Sequence, residues 1–149
     1  MHMTSNPEET VAGIMTKNVI SIDSEVPVKK GLQIMIDKDI GSLVVLKKGE
    51  PAGIITERDV TRRSLDPAKG RDLYERPIGG LMSHPLITIP STTPIDETFE
   101  IMVTNKIRRL PVVERKRLVG IITERDLFRW VLRVFYEPNI PDRIKKFVQ

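Results

Sequence analysis

Hydrophobic and polar positions in the first half of the chain follow one short order of elements. Apolar runs bounded by polar turns predict three strands, at Val19–Ile22, Ser42–Leu46 and Ala52–Thr56. Between the first two strands, apolar residues recur at helical spacing from Val28 and predict a helix that ends at Lys38. The polar residues from Glu57 to about Leu65 predict a second helix, which Asp66-Pro67 ends. The predicted order is β-α-β-β-α.

The second half of the chain repeats this order. Its predicted strands are Leu86–Ile89, Leu110–Val113 and Leu118–Thr123. Helices are predicted from Pro94 to Lys106 and from Glu124 onward. A polar turn separates the last two strands of each half, at 47–50 in the first and 114–117 in the second.

An identical heptapeptide, Gly-Ile-Ile-Thr-Glu-Arg-Asp, occurs at Gly53–Asp59 and again at Gly120–Asp126. Such an identity is not expected by chance in a chain of 149 residues, so the chain contains a duplicated unit. The offset of 67 residues between the two occurrences holds without a gap through most of both halves. It pairs Gly13 with Gly80, Met15 with Met82, Pro27 with Pro94 and Leu43 with Leu110. We call the halves copy one and copy two, and expect function in the repeated signature or between the copies.

Composition narrows the class of protein. The chain is 40% hydrophobic and 30% charged, as in ordinary soluble globular proteins. No apolar run approaches the roughly 20 residues of a membrane span and no signal-peptide pattern is present, so we expect a cytoplasmic protein without a membrane role. Cysteine is absent and the histidines are His2 and His84, which argues against disulfides and metal sites. The net charge of +4 favours an anionic partner, whether nucleotide, nucleic acid or an acidic protein face.

The same patterns predict the organisation of the chain. Residues 1–10 are expected to form a flexible tail, and 68–77 a charged linker without apolar periodicity. The remaining expected parts are copy one at 11–67, copy two at 78–136, and a basic C-terminal extension at 137–149.

Over residues 11–136 the chain resembles a tandem pair of CBS (cystathionine-β-synthase) domains, also called a Bateman module. The resemblance is carried by the openings Met15-Thr16 and Met82-Ser83, the strand cores Leu43–Val45 and Leu110–Val113, and the motif Gly-x-x-Thr-x-x-Asp in both copies. It implies an α+β fold of two β-α-β-β-α repeats packed sheet to sheet about a pseudo-twofold axis. It also implies two clefts that bind adenosine-containing ligands such as AMP, ADP, ATP or S-adenosylmethionine, with no cofactor required.

The repeated motif has two interpretations. Thr56/Asp59 and Thr123/Asp126 have the spacing of a helix capping box, and as a lone motif this would be the better interpretation. Capping does not require the glycine, however, and free N–H groups at a helix start suit a phosphate. By resemblance, the threonines would contact phosphate or ribose and the aspartates would accept the ribose hydroxyls. The two roles are compatible.

The resemblance places the adenine against the segment that enters the first strand of each copy. The candidate residues are Thr16, Lys17, Asn18, Ile20, His84, Leu86 and Ile87, with Pro111 on the adjoining strand of copy two. The apolar members have a simpler interpretation as core residues. Lys17 and His84 occupy equivalent positions, and each is either a solvated loop residue or a neighbour of phosphate.

The copies differ where Gly41-Ser42 of copy one corresponds to Arg108-Arg109 of copy two. The arginines are either a solvated charge pair or phosphate ligands, since a guanidinium binds phosphate bidentately. We favour the phosphate role, mainly for the site that uses Thr56 and Asp59.

The last predicted helix departs from the repeat because it continues through Phe128, Trp130 and Tyr136. It is interpreted, in order of preference, as a dimer contact, a helix packed on the N-terminal segment, or a basic end that touches nucleic acid or membrane. No paired nucleophile, P-loop or metal cluster indicates an enzyme. We therefore expect a non-catalytic adenosine-ligand sensor, homodimeric and with a regulated protein partner. The alternative is a basic interaction protein that docks on another protein or, less favoured, binds nucleic acid.

Overall fold

The computed structural model describes residues 9–66 and 72–148. The strands in these ranges are β1 (Ser21–Asp23), β2 (Ser42–Lys47), β3 (Glu50–Thr56), β4 (Arg109–Glu114) and β5 (Arg117–Thr123). The α-helices are α1 (Val28–Lys38), α2 (Glu57–Ser64), α3 (Ile95–Asn105) and α4 (Glu124–Tyr136). Short 3₁₀ turns occur at Val11–Gly13, Leu73–Glu75, Ile78–Gly80 and Asp142–Phe147.

The chain folds into two compact units, and each has its own hydrophobic core. Unit one consists of Val19–Ile87 and the turn Arg115–Leu118. Unit two consists of the residues up to Asn18, Thr88–Glu114 and the residues from Val119 onward. The copies therefore exchange their opening segments: Met15-Thr16 belongs to unit two and Met82-Ser83 to unit one.

Unit one contains a mixed three-stranded sheet in the order β1-β2-β3. β1 is parallel to β2, and β2 forms an antiparallel hairpin with β3 in which Ser42 pairs with Thr56 and Lys47 with Glu50. β1 spans Ser21–Asp23, so the predicted strand Val19–Ile22 starts two residues and ends one residue too early. The core consists of apolar residues from the sheet, α1 and the following 3₁₀ turns: Ile22, Val28, Met35, Leu43, Val45, Ile55, Leu73, Ile78 and Leu81.

Unit two contains the two-stranded sheet β4-β5. The predicted strand Leu86–Ile89 is wrong, because only Ile89 forms a bridge, parallel to Val112 of β4. Pro85 and Pro90 flank this segment and lack the amide hydrogens that a longer ladder needs.

Proline and left-handed backbone set the bounds of α1 and α3 in the same way. Each helix follows a proline, Pro27 or Pro94, which has the extended backbone of a residue before a helix. Each ends at a residue in the left-handed region, Asp39 with φ 50° and Lys106 with φ 55°. The predicted bounds of both helices are thus confirmed to within a residue.

The segments predicted as tail and linker are only partly described. Residues 1–8 and 68–71 lie outside the described ranges. The described remainder is ordered by specific contacts: Thr10 bridges to Pro94, and Leu73 is 3% exposed in the core of unit one. Within residues 9–66 and 72–148, none of the helices combines the length and hydrophobicity that a bilayer crossing requires.

Candidate functional site

β3 passes directly into α2 at Thr56, whose side chain caps the helix. Thr56 Oγ1 accepts a hydrogen bond from the Asp59 amide at 3.2 Å. Asp59 Oδ2 accepts hydrogen bonds from the Thr56 amide at 2.9 Å and from the Thr56 hydroxyl at 3.0 Å. These reciprocal bonds form a capping box, so the capping role predicted for the motif is confirmed.

The second motif has the same geometry at the start of α4. Asp126 Oδ2 lies 2.8 Å from the Thr123 amide and 2.9 Å from its hydroxyl, and the return bond from the Asp126 amide is 3.2 Å. Both aspartates are half-buried. Within the part of the chain that the structure describes, the Oδ1 atom of neither aspartate accepts a hydrogen bond. Each capping box therefore leaves one carboxylate oxygen for a donor from outside the motif.

The structure explains why the motif begins with glycine, which capping does not. A Cβ built on Gly53 would lie 2.6 Å from Met82 Sδ and 2.9 Å from Met82 Cβ. A Cβ on Gly120 would lie 2.5 Å from Met15 Sδ and 3.1 Å from the Thr16 carbonyl oxygen. Each glycine thus makes room for the methionine of the other copy's opening. The equivalent positions of Met15 and Met82 in the repeat were the available signal, but sequence reasoning did not connect them to the glycines.

Backbone pairing brings each opening segment beside a motif. In unit one, Ser83 and Ile54 exchange hydrogen bonds of 2.9 and 3.4 Å, two residues before Thr56. In unit two, Thr16 and Ile121 do the same at 2.9 and 3.0 Å, two residues before Thr123. Each candidate site therefore combines the opening of one copy with the motif of the other.

The predicted adenine-contacting residues divide between the two units accordingly. Thr16, Lys17 and Asn18 are exposed in unit two, with Thr123 and Asp126. His84, Leu86 and Ile87 lie in unit one, which also contains Thr56 and Asp59. Of these three candidates, His84 and Ile87 are exposed and Leu86 is half-buried. Ile20 lies in unit one, apart from Thr16–Asn18 in unit two. It packs against the core of unit one, as the simpler interpretation of the apolar residues expects. Pro111 is buried on β4 in unit two.

The arginine pair of copy two lies beside the motif of its own copy. The Arg108 carbonyl accepts a hydrogen bond of 2.9 Å from the Glu124 amide, the first residue of α4. Arg108 Nε also lies 3.8 Å from Glu124 Oε2, with the two side chains 85% and 63% exposed. An ion pair this exposed contributes at most about 1 kcal/mol, so it leaves the guanidinium available to another anion. Gly41 occupies the same position in copy one, where its carbonyl accepts from the Glu57 amide at 3.0 Å.

One face of α4 packs within unit two, as one of the three interpretations of this helix expects. Leu127 and Trp130 share a core with Val11 from the N-terminal segment. The C-terminal residues contact the same helix: Arg133 Nη2 donates to the Val148 carbonyl at 3.2 Å, and the Arg125 guanidinium lies 5.9 Å from the centre of the Phe147 ring.

A second face of α4 remains exposed and apolar. With α3 it forms a groove of about 350 Å³ whose apolar lining includes Ile95, Phe99, Phe128 and Val131. Phe99 and Phe128 are each 53% exposed.

The family model of the CBS domain matches this chain twice, over residues 11–66 and 78–133. The chain belongs to the CBS-domain family. The α+β fold of two CBS repeats that the sequence predicts is therefore confirmed.

Relatives of this CBS pair differ in length. The chain is 33% identical over 132 residues to the uncharacterized protein MJ1404 of Methanocaldococcus jannaschii, a match that covers 81% of this chain but 31% of that protein. It is 30% identical over 121 residues to hypoxic response protein 1 of Mycobacterium tuberculosis, which covers 80% of this chain and 83% of that protein. The chain thus spans less than a third of one relative and most of the other.

A solved structure shares the fold of this CBS pair and holds ligands. It is the CBS domain pair of protein MJ0100 in complex with 5′-methylthioadenosine and S-adenosylmethionine. The two chains superimpose with a TM-score of 0.71 and 28% identity, over 81% of this chain and 94% of that one.

Proposed function

We propose that this CBS pair is a regulatory module that binds adenosine-containing ligands at Thr56/Asp59 and at Thr123/Asp126. The observation that carries the proposal is the repeated capping box, in which each half-buried aspartate keeps one oxygen without a donor among the described residues. A ribose offers two adjacent hydroxyl donors, and a carboxylate that is already oriented by its capping bonds accepts them favourably.

The remaining parts of the ligand have candidate partners in the same units. In unit one, Ser83–Ile87 would border the adenine, and in unit two Thr16–Asn18 would do so. The N–H groups at the starts of α2 and α4 favour an anionic group such as a phosphate. Arg108 and Arg109 would add guanidinium donors for a phosphate tail. The ligands of the MJ0100 pair, both of which contain adenosine, support this ligand class.

In this proposal the protein performs no chemistry of its own. Ligand occupancy would be transmitted to a protein partner in the cytoplasm, and two copies of the chain would associate through the exposed apolar face of α3 and α4. A self-complementary apolar patch is typical of a twofold homodimer.

The proposal predicts that an adenosine-containing ligand raises the melting temperature, because a ligand that binds only the folded state stabilises it. At a hundred times its Kd, such a ligand adds about 2.7 kcal/mol. The measurement is a thermal-shift series with AMP, ADP, ATP, S-adenosylmethionine and NAD, followed by calorimetric titration of the ligands that act. Absence of a shift with all five at millimolar concentration would contradict the proposed function.

A further inference from the structure

A groove in unit one has a strongly basic lining and no place in the proposed function. It has a volume of about 630 Å³ and lies between the two hairpin turns. Its charged lining consists of four cations and one carboxylate: Lys48, Arg115, Lys116, Arg117 and Glu50. Leu46 and Leu118 contribute apolar surface. Because Lys47 pairs with Glu50 at one end of the β2-β3 hairpin and Ser42 with Thr56 at the other, this groove lies at the opposite end of the hairpin from the Thr56/Asp59 motif.

The four cations of the groove exceed its single carboxylate, Glu50, so the lining has a net positive charge. All four are exposed, and over residues 9–66 and 72–148 none forms an ion pair. Concave surfaces with a net charge of one sign concentrate the opposite charge in the solvent near them. The groove is therefore suited to an anion.

The backbone of both turns lies in the left-handed region. In the first turn φ is 52° at Lys48 and 79° at Gly49, and in the second it is 50° at Arg115 and 65° at Lys116. Two-residue hairpin turns with positive φ at both positions favour Asn-Gly or Asp-Gly, because a side chain without a local hydrogen-bonding group is strained there. Copy one meets this preference with Gly49 at the second position, whereas copy two has lysine.

Compared with the turn of copy one, the turn of copy two has a less favourable residue for its backbone conformation and more positive charge. At the repeat offset Gly49 corresponds to Lys116, and Glu50 corresponds to Arg117. Both differences make the groove lining of copy two more positive, and the first puts a long side chain where glycine is preferred; the adjoining Lys47, which corresponds to Glu114, lies outside the lining. Strained backbone of this kind is concentrated at functional sites in proteins.

We propose that this groove is a second binding site, distinct from the Thr/Asp motifs, for a compact ligand with at least two linked phosphate groups. Guanidinium groups from Arg115 and Arg117 can each bind a phosphate in a bidentate manner, while Lys48 and Lys116 add point charges. A concave groove of this volume suits a small polyphosphate, free or attached to a nucleoside, better than it suits the extended surface of a nucleic acid duplex.

The test uses the full chain and inorganic tripolyphosphate, which contains no adenosine. Calorimetric titration should show saturable binding that weakens as salt rises, since exposed charges are screened. In the double variant Arg115→Asn/Lys116→Gly the affinity should fall about ten- to hundredfold through the loss of charge-assisted contacts. The melting temperature of the same variant should rise, because Asn-Gly is the preferred sequence for this turn. A decrease in affinity together with a gain in stability excludes misfolding as the cause.

Three further variants serve as controls. Arg115→Gln/Lys116→Gln removes the same charge and keeps the strained backbone, so it should lose affinity without the rise in melting temperature. Lys30→Gln/Lys38→Gln removes two exposed charges from α1, outside the groove, and should bind tripolyphosphate like the parent chain. Asp59→Asn/Asp126→Asn should also bind it normally, which separates this site from the proposed adenosine sites.

Three results would overturn the proposal. One is unchanged tripolyphosphate affinity in Arg115→Asn/Lys116→Gly. Another is an equal loss in Lys30→Gln/Lys38→Gln, which would show that only net charge matters. The third is tighter binding of duplex DNA than of tripolyphosphate, lost in the same turn variants, which would identify the groove as a nucleic acid surface. Adenosine and AMP, titrated in parallel, report on the proposed function independently.

Discussion

At the scale of single residues, the repeated heptapeptide combines two physical tasks. Its glycine accommodates a methionine side chain from the other copy's opening, and its threonine and aspartate close a capping box. The first task fixes the opening segment against the strand, and the second fixes the start of the helix. Together they place Thr16 and Ser83 two residues along the ladder from a capped helix start.

We predict that Gly53→Ala and Gly120→Ala each destabilise the fold by about 1–3 kcal/mol, the usual effect of overpacking. The new Cβ would meet Met82 or Met15 at less than 3.0 Å. Gly13→Ala and Gly80→Ala are matched controls, because a Cβ at either position has no neighbour within 4 Å. Free energies of unfolding from denaturant titration provide the measurement. Equal stability of all four variants would contradict this role of the motif glycines.

We predict that Asp59→Asn and Asp126→Asn weaken adenosine-ligand binding at the affected site by about ten- to hundredfold, since a hydrogen bond to a charged group contributes roughly 1.5–3 kcal/mol. An asparagine side-chain oxygen can still accept the capping bonds from the threonine, so the loss of folding stability should be small. Calorimetric affinity and the free energy of unfolding are measured on each variant.

Glu57→Gln is the control for Asp59→Asn. It removes a negative charge from the same first turn of α2, which costs about 0.3–1 kcal/mol of helix stability, but Glu57 is not part of the capping box. Its ligand affinity should be unchanged. If Asp59→Asn lowers stability while its ligand affinity stays at the parent value, the aspartate acts only as a cap.

At the scale of elements, α4 differs most from its counterpart in the repeat. α2 ends at Ser64 and has no buried residue, whereas α4 continues to Tyr136 and buries Leu127, Trp130 and Leu132. The C-terminal residues that contact Arg125 and Arg133 cover part of this helix. The apolar groove that α4 forms with α3 keeps Phe99 and Phe128 half-exposed.

We predict that the protein is a dimer of its 17.0 kDa chain and that Phe128→Asp, alone or with Phe99→Asp, converts it to a monomer. A charge buried in an apolar interface without a partner is strongly unfavourable. Light scattering after size exclusion provides the mass. Tyr74→Asp is the matched control, because Tyr74 is 45% exposed in a 3₁₀ turn of unit one. A parent chain that is monomeric at micromolar concentration would contradict the proposed face.

The elements predicted from sequence were those with local signals. Apolar residues at helical spacing after Pro27 and Pro94 predicted α1 and α3, and Thr-x-x-Asp predicted the starts of α2 and α4. Local signals could not predict the pairing of Thr16 with Ile121, because the sequence around each residue does not indicate which distant residue it pairs with. Leu73 and Tyr74 form a short apolar pair between charged residues, and a pair this short shows no periodicity from which the burial of Leu73 could be predicted.

At the scale of the whole molecule, the two copies are related but differ in charge. The candidate aspartates, threonines and opening segments were predicted from the repeat, and the structure confirms the capping geometry of the threonines and aspartates. Their contact with a ligand remains a proposal. The division of the opening segments between the units was not predicted, since the repeat shows which residues are equivalent but not which copy each one joins.

We predict that Arg108→Ala/Arg109→Ala weakens ATP binding much more than adenosine binding, because only ATP offers phosphates to a guanidinium. The loss should shrink as salt rises. Lys38→Ala, which removes an exposed charge at the end of α1, is the control. Combining the arginine variant with Asp59→Asn or with Asp126→Asn in a double-mutant cycle identifies the site that the arginines serve. Equal losses for ATP and adenosine would assign Arg108 and Arg109 to folding instead.

The exchange of opening segments has a consequence for how such a gene evolves. In a chain with one copy alone, the motif glycine would have no methionine from the other copy to pack against. Such a chain would need a second molecule to donate the missing opening segment. Fusion of two copies makes the donor part of the same chain, so the donation no longer depends on protein concentration. Deletion of either copy then removes parts of both folds at once. Each unit therefore needs residues from both copies, and we expect the two copies to be retained together.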